Sequence, residues 1–463
     1  MKGNVAVIGA GLVGAVAGLS LAHEGYNVTI FELRADPRLA DTEDKNLRSI
    51  NLAVSNRGIR TLRMIDPQMA ERVLADVLPM KGRMIHDLKG NQAEQLYGLY
   101  GDAIYSIDRG VLNENLLHEI ELFDEAKNEG SIQTKFEHKL VNMDFGNDND
   151  EHSPVELTFR RKNSNDDVHL KFDMVIGADG AHSITRAFLG KKVRMDYSSQ
   201  YIDKCYVELY IPPSDDPSNK FSISPNHLHI WPRVDFMLIA LPNTDGSFTS
   251  TFFGPWKLTE SLRTEEQISS FFSDQFPDAV NLIGEKSLVR AFQNNPKGSL
   301  LQVTCSPYHF KGKCIIIGDA AHSMVPFYGQ GMNCGFEDVR VLTELLKKYK
   351  HVSEDAFEAF TETRHKDLLA ILSLALANYH EMSAKVTSNL YKLRKATDGF
   401  LHKLLGDHWL PLYTMVSFRD DIPYHEALEI EANQHRLVSI FGGVTILSAS
   451  VAILYGLKRG LKI

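Results

Sequence analysis

Three short motifs in this chain have the residue types and spacing to hold a phosphate-rich ligand. Gly9, Gly11 and Gly14 form a G-x-G-x-x-G run between an apolar stretch, Asn4 to Ile8, and an Ala/Leu-rich stretch reaching about Glu24. At a strand-to-helix junction such glycines permit a tight turn, let the backbone approach a pyrophosphate and let the helix pack on the strand. The open helix N-terminus adds N–H donors and a positive dipole end. Glu32 closes the next apolar run, Tyr26 to Phe31, roughly 20 residues past the central glycine, where a carboxylate can accept from ribose hydroxyls. Asp179 and Asp319 follow two further apolar runs, Phe172 to Ile176 and Cys314 to Ile317, which read as buried parallel strands. An acid at the carboxyl end of such a strand faces the ligand crevice of an open sheet. Taken singly, each Asp-Gly or Gly-Asp pair is equally a turn former; together the three motifs specify an FAD cradle.

The motifs are far apart, so the elements that position them form a discontinuous domain, read here as residues 1–75, 105–190 and 292–345. Pro154 to Phe172 alternates apolar and polar residues and turns at Asn163 to Asp167, as a hairpin does. Residues 76–104 and 191–291 are assigned to an inserted domain. Its stretches Tyr206 to Ile211, Leu228 to Trp231, Phe236 to Leu241 and Ser247 to Phe253 read as antiparallel strands separated by Pro and Asn turns. Residues 346–435 form a third region, helical in pattern and free of proline from 353 to 405.

The whole constellation resembles the FAD-dependent aromatic hydroxylases, single chains that cycle FAD with NADPH and O2. The runs Arg48 to Ala53, Met80 to His86, His229 to Arg233, Val325 to Asn333 and Pro411 to Val416 resemble the branch of that class that hydroxylates kynurenine. The likeness spans Asn4 to about His425. It implies an α/β fold: a Rossmann-like FAD-binding domain with an inserted antiparallel-sheet substrate domain and a C-terminal helical layer. It also implies the conversion of L-kynurenine to 3-hydroxy-L-kynurenine, a step of tryptophan degradation toward NAD biosynthesis.

Residue roles follow from the resemblance. Arg83 is expected to bind the substrate carboxylate bidentately, with Tyr97 donating from its hydroxyl. Asn378 and Met382 share a helix face, and Tyr413 is a further substrate contact. Leu228, Met237, Ile239, Leu241, Thr251 and Phe253 would wall the aromatic ring, although an apolar stripe at strand spacing also serves as plain core. Pro326 and Phe327 close the flavin side, and Tyr328 stands where the family often has Phe or His. The FAD contacts extend to Val13, Phe31, Leu33, Arg34, Ala53, Arg109, Leu140, Tyr197, Met332 and Asn333. A helix opening at Gly331 is expected to stabilise negative charge on reduced flavin with its N–H groups and dipole. No side chain is assigned as acid or base: a flavin C4a-hydroperoxide carries oxygen to the ring, and the aniline nitrogen of kynurenine supplies the electron density. Water must be excluded for this to succeed.

The runner-up is a related hydroxylase of another small aromatic acid. A flavin halogenase would carry a Trp-x-Trp pair, which Trp231, Trp256 and Trp409 do not form. A non-catalytic FAD scaffold would have no use for the substrate residues. Net charge is −9 over 463 residues, which argues against a nucleic-acid partner. Cys205, Cys305, Cys314 and Cys334 have neither disulfide-framework nor C-x-x-C spacing and read as reduced thiols, and the histidines show no metal-ligand spacing. Leu437 to Leu457 carries no charge and precedes Lys458, Arg459 and Lys462. That pattern predicts a C-terminal transmembrane helix over 437–457. By resemblance it would anchor the protein in the mitochondrial outer membrane with its catalytic part facing the cytosol.

Overall fold

The computed structural model describes residues 2–39, 51–125, 129–147, 150, 153–162, 167–384, 386 and 388–440. Its central sheet has the strand order His309–Phe310, Cys314–Ile316, Met174–Gly177, Asn4–Ile8, Asn27–Phe31, Ser131–Lys135. All neighbours are parallel except the first pair. Ile8 is in register with both Phe31 and Gly177, and Gly177 with Ile316. Strands separated by up to about three hundred residues of sequence therefore end in one row, and Gly9, Glu32, Asp179 and Asp319 emerge along a single edge. The four central strands are buried on both faces, which is why they read as continuous apolar runs.

The helix Leu12–His23 is buried along almost its whole length. It packs on this sheet and against the helix Gly331–Lys348. The stretches Val155–Arg161 and Asp167–Phe172 form the expected antiparallel pair, joined on its other side by His138–Asp144.

The second large sheet runs Gly298–Ser306, Asp196–Ile211, Phe248–Gly254, Phe236–Pro242, His227–Arg233, Gly82–His86, Gln92–Leu96. It is antiparallel except where Gly82–Ile85 lies parallel to His227–Ile230. Side-chain alternation divides this sheet between two cores. Ile230, Met237, Ile239, Leu241 and Phe253 face the core shared with the FAD cradle. Trp231, Leu238, Ala240 and Phe252 join a separate core with residues of the helices Glu265–Gln275, Pro277–Ile283 and Glu285–Asn294. At Lys81 the chain passes between sheets: Leu78–Met80 pairs with Ile104–Ile107, and the next strand, carrying Arg83, belongs to the substrate sheet.

The helices Ser353–Ser383, Asn389–Leu405, Leu412–Ser417 and 424–440 complete the molecule. Here one expectation is corrected. Among the described residues no helix is long and apolar enough to cross a membrane, so the transmembrane helix expected over 437–457 is not supported. The final described helix, 424–440, carries Glu426, Glu429, Glu431 and Arg436, and residues 441–457 of the expected span lie outside the described residues. A membrane attachment through that span is likewise not supported.

Candidate active site

One cavity of about 770 Å³ runs from the row of strand ends into the space between the two large sheets. At its first end the glycine turn is tightly built. Gly9 has φ +103°, which a side chain rarely tolerates, and a Cβ on Gly14 would collide with the Gly9 carbonyl. Gly11 instead faces open space. It is the N-cap of Leu12–His23, with no side-chain cap and no acid in the first turn. The helix thus leaves its first N–H groups for an anion, as a bound pyrophosphate requires.

Glu32 is buried, and its Oε2 accepts from Ala10 N at 2.9 Å while Oε1 accepts from Arg34 N and Nε at 3.0 and 2.8 Å. Burial raises its pKa, but these bonds together outweigh burial and hold it below the usual range. Asp179 lines the cavity but spends its carboxylate on Ser183 and on Thr185 N and Oγ1, capping the helix Ile184–Lys192. Asp319 also lines the cavity. Arg186, which no sequence motif marks, is a buried guanidinium that donates to Ala320 O and Ala181 O, both at 2.7 Å. It clamps the loops bearing Asp179 and Asp319 together.

Val13, Phe31, Leu33, Arg34, Ala53, Arg109 and Leu140 all line this cavity. Tyr197 does not: it is 53 % exposed and lies over Arg186. Gly331 and Met332 line the cavity at the start of Gly331–Lys348, whose N-cap Gln330 makes no side-chain cap and whose first turn has no acid. Asn333, fully buried, faces inward. Its Nδ2 donates to Ala53 O and Gly329 O at 2.8 and 2.9 Å, and its Oδ1 accepts from Ser55 N. The uncapped helix ends, the close-packed glycines and the carboxylate beside Ala10 together fit FAD.

The other end contains Arg83, Leu228, Ile239, Leu241, Phe253, Pro326, Phe327, Met382 and Tyr413. Arg83 is buried, with Nη1 2.8 Å from Glu381 Oε1. Its Cζ lies 5.1 Å from the Tyr413 ring centroid and 6.0 Å from that of Tyr97, and those rings stack at 4.7 Å. Arg83 Nε and Tyr97 Oη are both buried without a hydrogen-bond partner. Arg83 lines the cavity, where a ligand could accept from it, whereas Tyr97 stands behind it and does not line the cavity. Asn378 stands behind the wall, its Nδ2 donating to Phe327 O at 2.7 Å and reaching Met382 Sδ at 3.3 Å. Met237 and Thr251 are fully buried and do not line the cavity.

Glu381, Tyr391 and Lys395 were not singled out by the sequence. Tyr391 Oη donates to Glu381 Oε1 at 2.9 Å. Lys395 is pushed down to about 8, chiefly by burial and then by the Arg83 charge. His322, Cys334 and Asp338 converge within metal-ligating range among the described residues. Arg364 already donates to Asp338 Oδ1 at 2.9 and 3.1 Å there, a cation where a metal would have to sit.

A family model described as an FAD binding domain matches residues 2–373. Kynurenine 3-monooxygenase of Candida albicans is 54 % identical over 457 residues, 98 % of this chain and 96 % of the relative. The chain belongs to the kynurenine 3-monooxygenase family. The Saccharomyces cerevisiae member is 49 % identical, with 97 % of each chain covered. As a member of this family the protein is an FAD-dependent monooxygenase, with NADPH its usual co-substrate. Solved structures share the fold at low identity. The tetrameric 2-methyl-3-hydroxypyridine-5-carboxylic acid oxygenase aligns with TM-score 0.62 at 17 % identity, over 86 % of this chain and 97 % of its own. P. aeruginosa PqsL in complex with 2-aminobenzoylacetate aligns with TM-score 0.63 at 17 % identity, over 82 % and 96 %.

Proposed function

We propose that this protein hydroxylates L-kynurenine at ring position 3, consuming NADPH and O2. The observation that carries the reading is the pairing of Arg83 with Glu381 beside two unpartnered donors, Arg83 Nε and Tyr97 Oη. An α-amino acid presents a carboxylate and an ammonium a few ångströms apart. Arg83 with Tyr97 suits the first, and Glu381 suits the second. Leu228, Ile239, Leu241, Phe253 and Phe327 then supply an apolar lining for the aminobenzene ring. FAD, when bound, supplies the redox chemistry and the activated oxygen.

The chain's own work is to bind, orient and exclude water. Arg83 and Glu381 fix the amino-acid end, so the ring can enter the apolar part of the same cavity. Asn378 holds the Phe327 carbonyl, which keeps the Pro326–Tyr328 turn against the ring space. The uncapped helix opening at Gly331 lines the cavity, and its first N–H groups would favour negative charge on a bound flavin, worth up to ~2 kcal/mol in a partly buried geometry. An aniline nitrogen already enriches its neighbouring ring carbon, so the absence of an assigned base suits this substrate.

The reading is tested by NADPH oxidation with product analysis across L-kynurenine, anthranilate and salicylate. Kynurenine-stimulated oxidation yielding 3-hydroxykynurenine is expected. Stimulation and hydroxylation of the simple aromatic acids instead would assign the protein to the runner-up class.

A further inference from the structure

The aromatic end of kynurenine brings a hydrogen-bond donor into a lining that has no side chain to accept from it: Leu228, Ile239, Leu241, Phe253 and Phe327 are all apolar. The ring amine has two N–H groups. One closes a six-membered hydrogen-bonded ring with the molecule's own ketone, and the other points toward the neighbouring carbon, position 3. A buried donor without an acceptor carries its full desolvation cost, so the second N–H needs an oxygen from the protein.

Among the described residues lining the cavity, two side chains hold a buried polar atom without a hydrogen-bond partner. One is the donor Arg83 Nε, at the amino-acid end. The other is an acceptor, Asn51 Oδ1. Asn51 is 5 % exposed and directly precedes the strand Leu52–Val54 of the cofactor domain. It also reaches the end of the ring wall, where its Nδ2 is 3.4 Å from the carbonyl of Pro242, the residue after Leu241.

The surrounding bonds decide which end of the amide is free. The Asp245 carboxylate only accepts, so Ser247 Oγ donates to it at 2.6 Å and turns a lone pair to Asn243 Nδ2 at 3.0 Å. Asn243 Oδ1 is therefore the end that faces Asn51, whose Nδ2 donates to it at 2.7 Å. Ser106 Oγ donates to Pro242 O at 2.8 Å and so accepts from the same Asn51 Nδ2 at 3.3 Å. This chain, anchored at a carboxylate, fixes the amide with its oxygen unused.

Resting on the kynurenine reading, we propose that Asn51 Oδ1 accepts the ring-amine N–H beside position 3, which makes Asn51 the contact that selects an ortho-aminophenyl ring. An amine activates positions 3 and 5 alike, and a fixed acceptor beside it sets which edge of the ring lies toward Asn51. The probes are L-kynurenine and its analogue lacking only the ring amine, β-benzoylalanine, each titrated by calorimetry into the FAD-loaded protein. Wild type should bind kynurenine more tightly than β-benzoylalanine by roughly 3-fold to 10-fold, the scale of one neutral hydrogen bond. Asn51→Leu, close in size but without an acceptor, should lose that preference by weakening kynurenine alone, with β-benzoylalanine affinity and FAD content unchanged. Equal affinities in the wild type would overturn the proposal without recourse to any variant. Equal losses for both ligands in Asn51→Leu, together with lost FAD, would assign the oxygen to the flavin N3–H instead and overturn it too. Kynurenine that fails to bind the wild type at all would overturn the substrate reading itself, whereas binding without a ring-amine preference overturns only the role of Asn51.

Discussion

Glu381 and Arg83 stand 298 positions apart in sequence and 2.8 Å apart in space, and Arg83 lines the substrate end of the cofactor cavity. The pair joins the strand Gly82–His86 of the substrate sheet, one in from its edge, to the long helix Ser353–Ser383. With 5 % of its side chain exposed, Arg83 needs this partner, since an unpaired buried charge is strongly unfavourable. An amino-acid zwitterion offers each member a second partner. Arg83→Ala should therefore raise KM for kynurenine by roughly 10-fold to 150-fold, from the loss of ~1.5–3 kcal/mol in charged hydrogen bonds. Arg83→Lys should recover only part of this, because an ammonium lacks the planar fork. Initial-rate kinetics at saturating NADPH would measure both, and an unchanged KM in Arg83→Ala would remove it from the carboxylate site.

Glu381→Gln keeps an oxygen for Tyr391 and Arg83 but removes the charge facing an ammonium. It should raise KM for kynurenine about 10-fold, the scale of one charge-assisted contact. Binding of a deaminated kynurenine analogue, carboxylate retained, should be unaffected. Equal losses for both ligands would show that Glu381 acts only by holding Arg83.

The glycine turn makes a separate prediction. Gly14→Ala would drive a methyl group into the Gly9 carbonyl and push the helix N-terminus away from the strand. The purified variant should carry less flavin per chain by absorbance while keeping a cooperative thermal transition. A full complement of FAD would contradict the proposed packing.

Arg57 is fully buried and joins the helix Asn56–Ile65 to the segment that follows Tyr413. Its guanidinium donates to the carbonyls of Val416, Arg419 and Ile422, pairs with Glu337 at 2.8 Å and lies 3.9 Å from the Tyr424 ring. Glu337 is paired in turn with Arg364. Removing one partner of a buried pair costs about 3–5 kcal/mol. Arg57→Ala should thus lower the melting temperature clearly and raise KM for kynurenine by loosening Tyr413. A melting curve and KM both matching the wild type would contradict this.

A pH effect follows from Glu431, on the last described helix. Burial raises its pKa to about 7, against the opposing pull of Arg394. Between the ordinary value of 4.5 and about 7 the folded protein therefore binds more protons at this site than the unfolded chain. Its contribution to stability falls as pH rises through that window. Glu431→Gln should melt higher than the wild type at pH 8 and nearly equal to it at pH 4.5. The reverse order at pH 8 would contradict a raised pKa.

What the sequence reveals here is what local pattern encodes. Gly9, Gly14 and Glu32 lie within one strand–helix–strand unit, and the alternation through Met237, Ile239 and Leu241 shows which face of the substrate sheet meets the cofactor domain. Glu381, Arg57 and Arg186 act through partners distant in sequence, and no periodicity marks such pairings. Asp179 shows a second role that strand position does not reveal: it lines the cavity after a buried strand, as expected, and its oxygens also accept from the start of the helix that follows. The uncharged run at 437–457 suggested a membrane span from composition alone, whereas the described part of it continues a helix that bears Glu429, Glu431, His435 and Arg436.

The most direct test is anaerobic reduction of the FAD-loaded protein by NADPH, followed at the flavin absorbance band with and without L-kynurenine, and then admission of air with product analysis. Kynurenine should accelerate bleaching of the flavin, and air should yield 3-hydroxykynurenine. Acceleration with only hydrogen peroxide released would make kynurenine an effector rather than the substrate, and no acceleration at all would contradict a kynurenine site in this cavity.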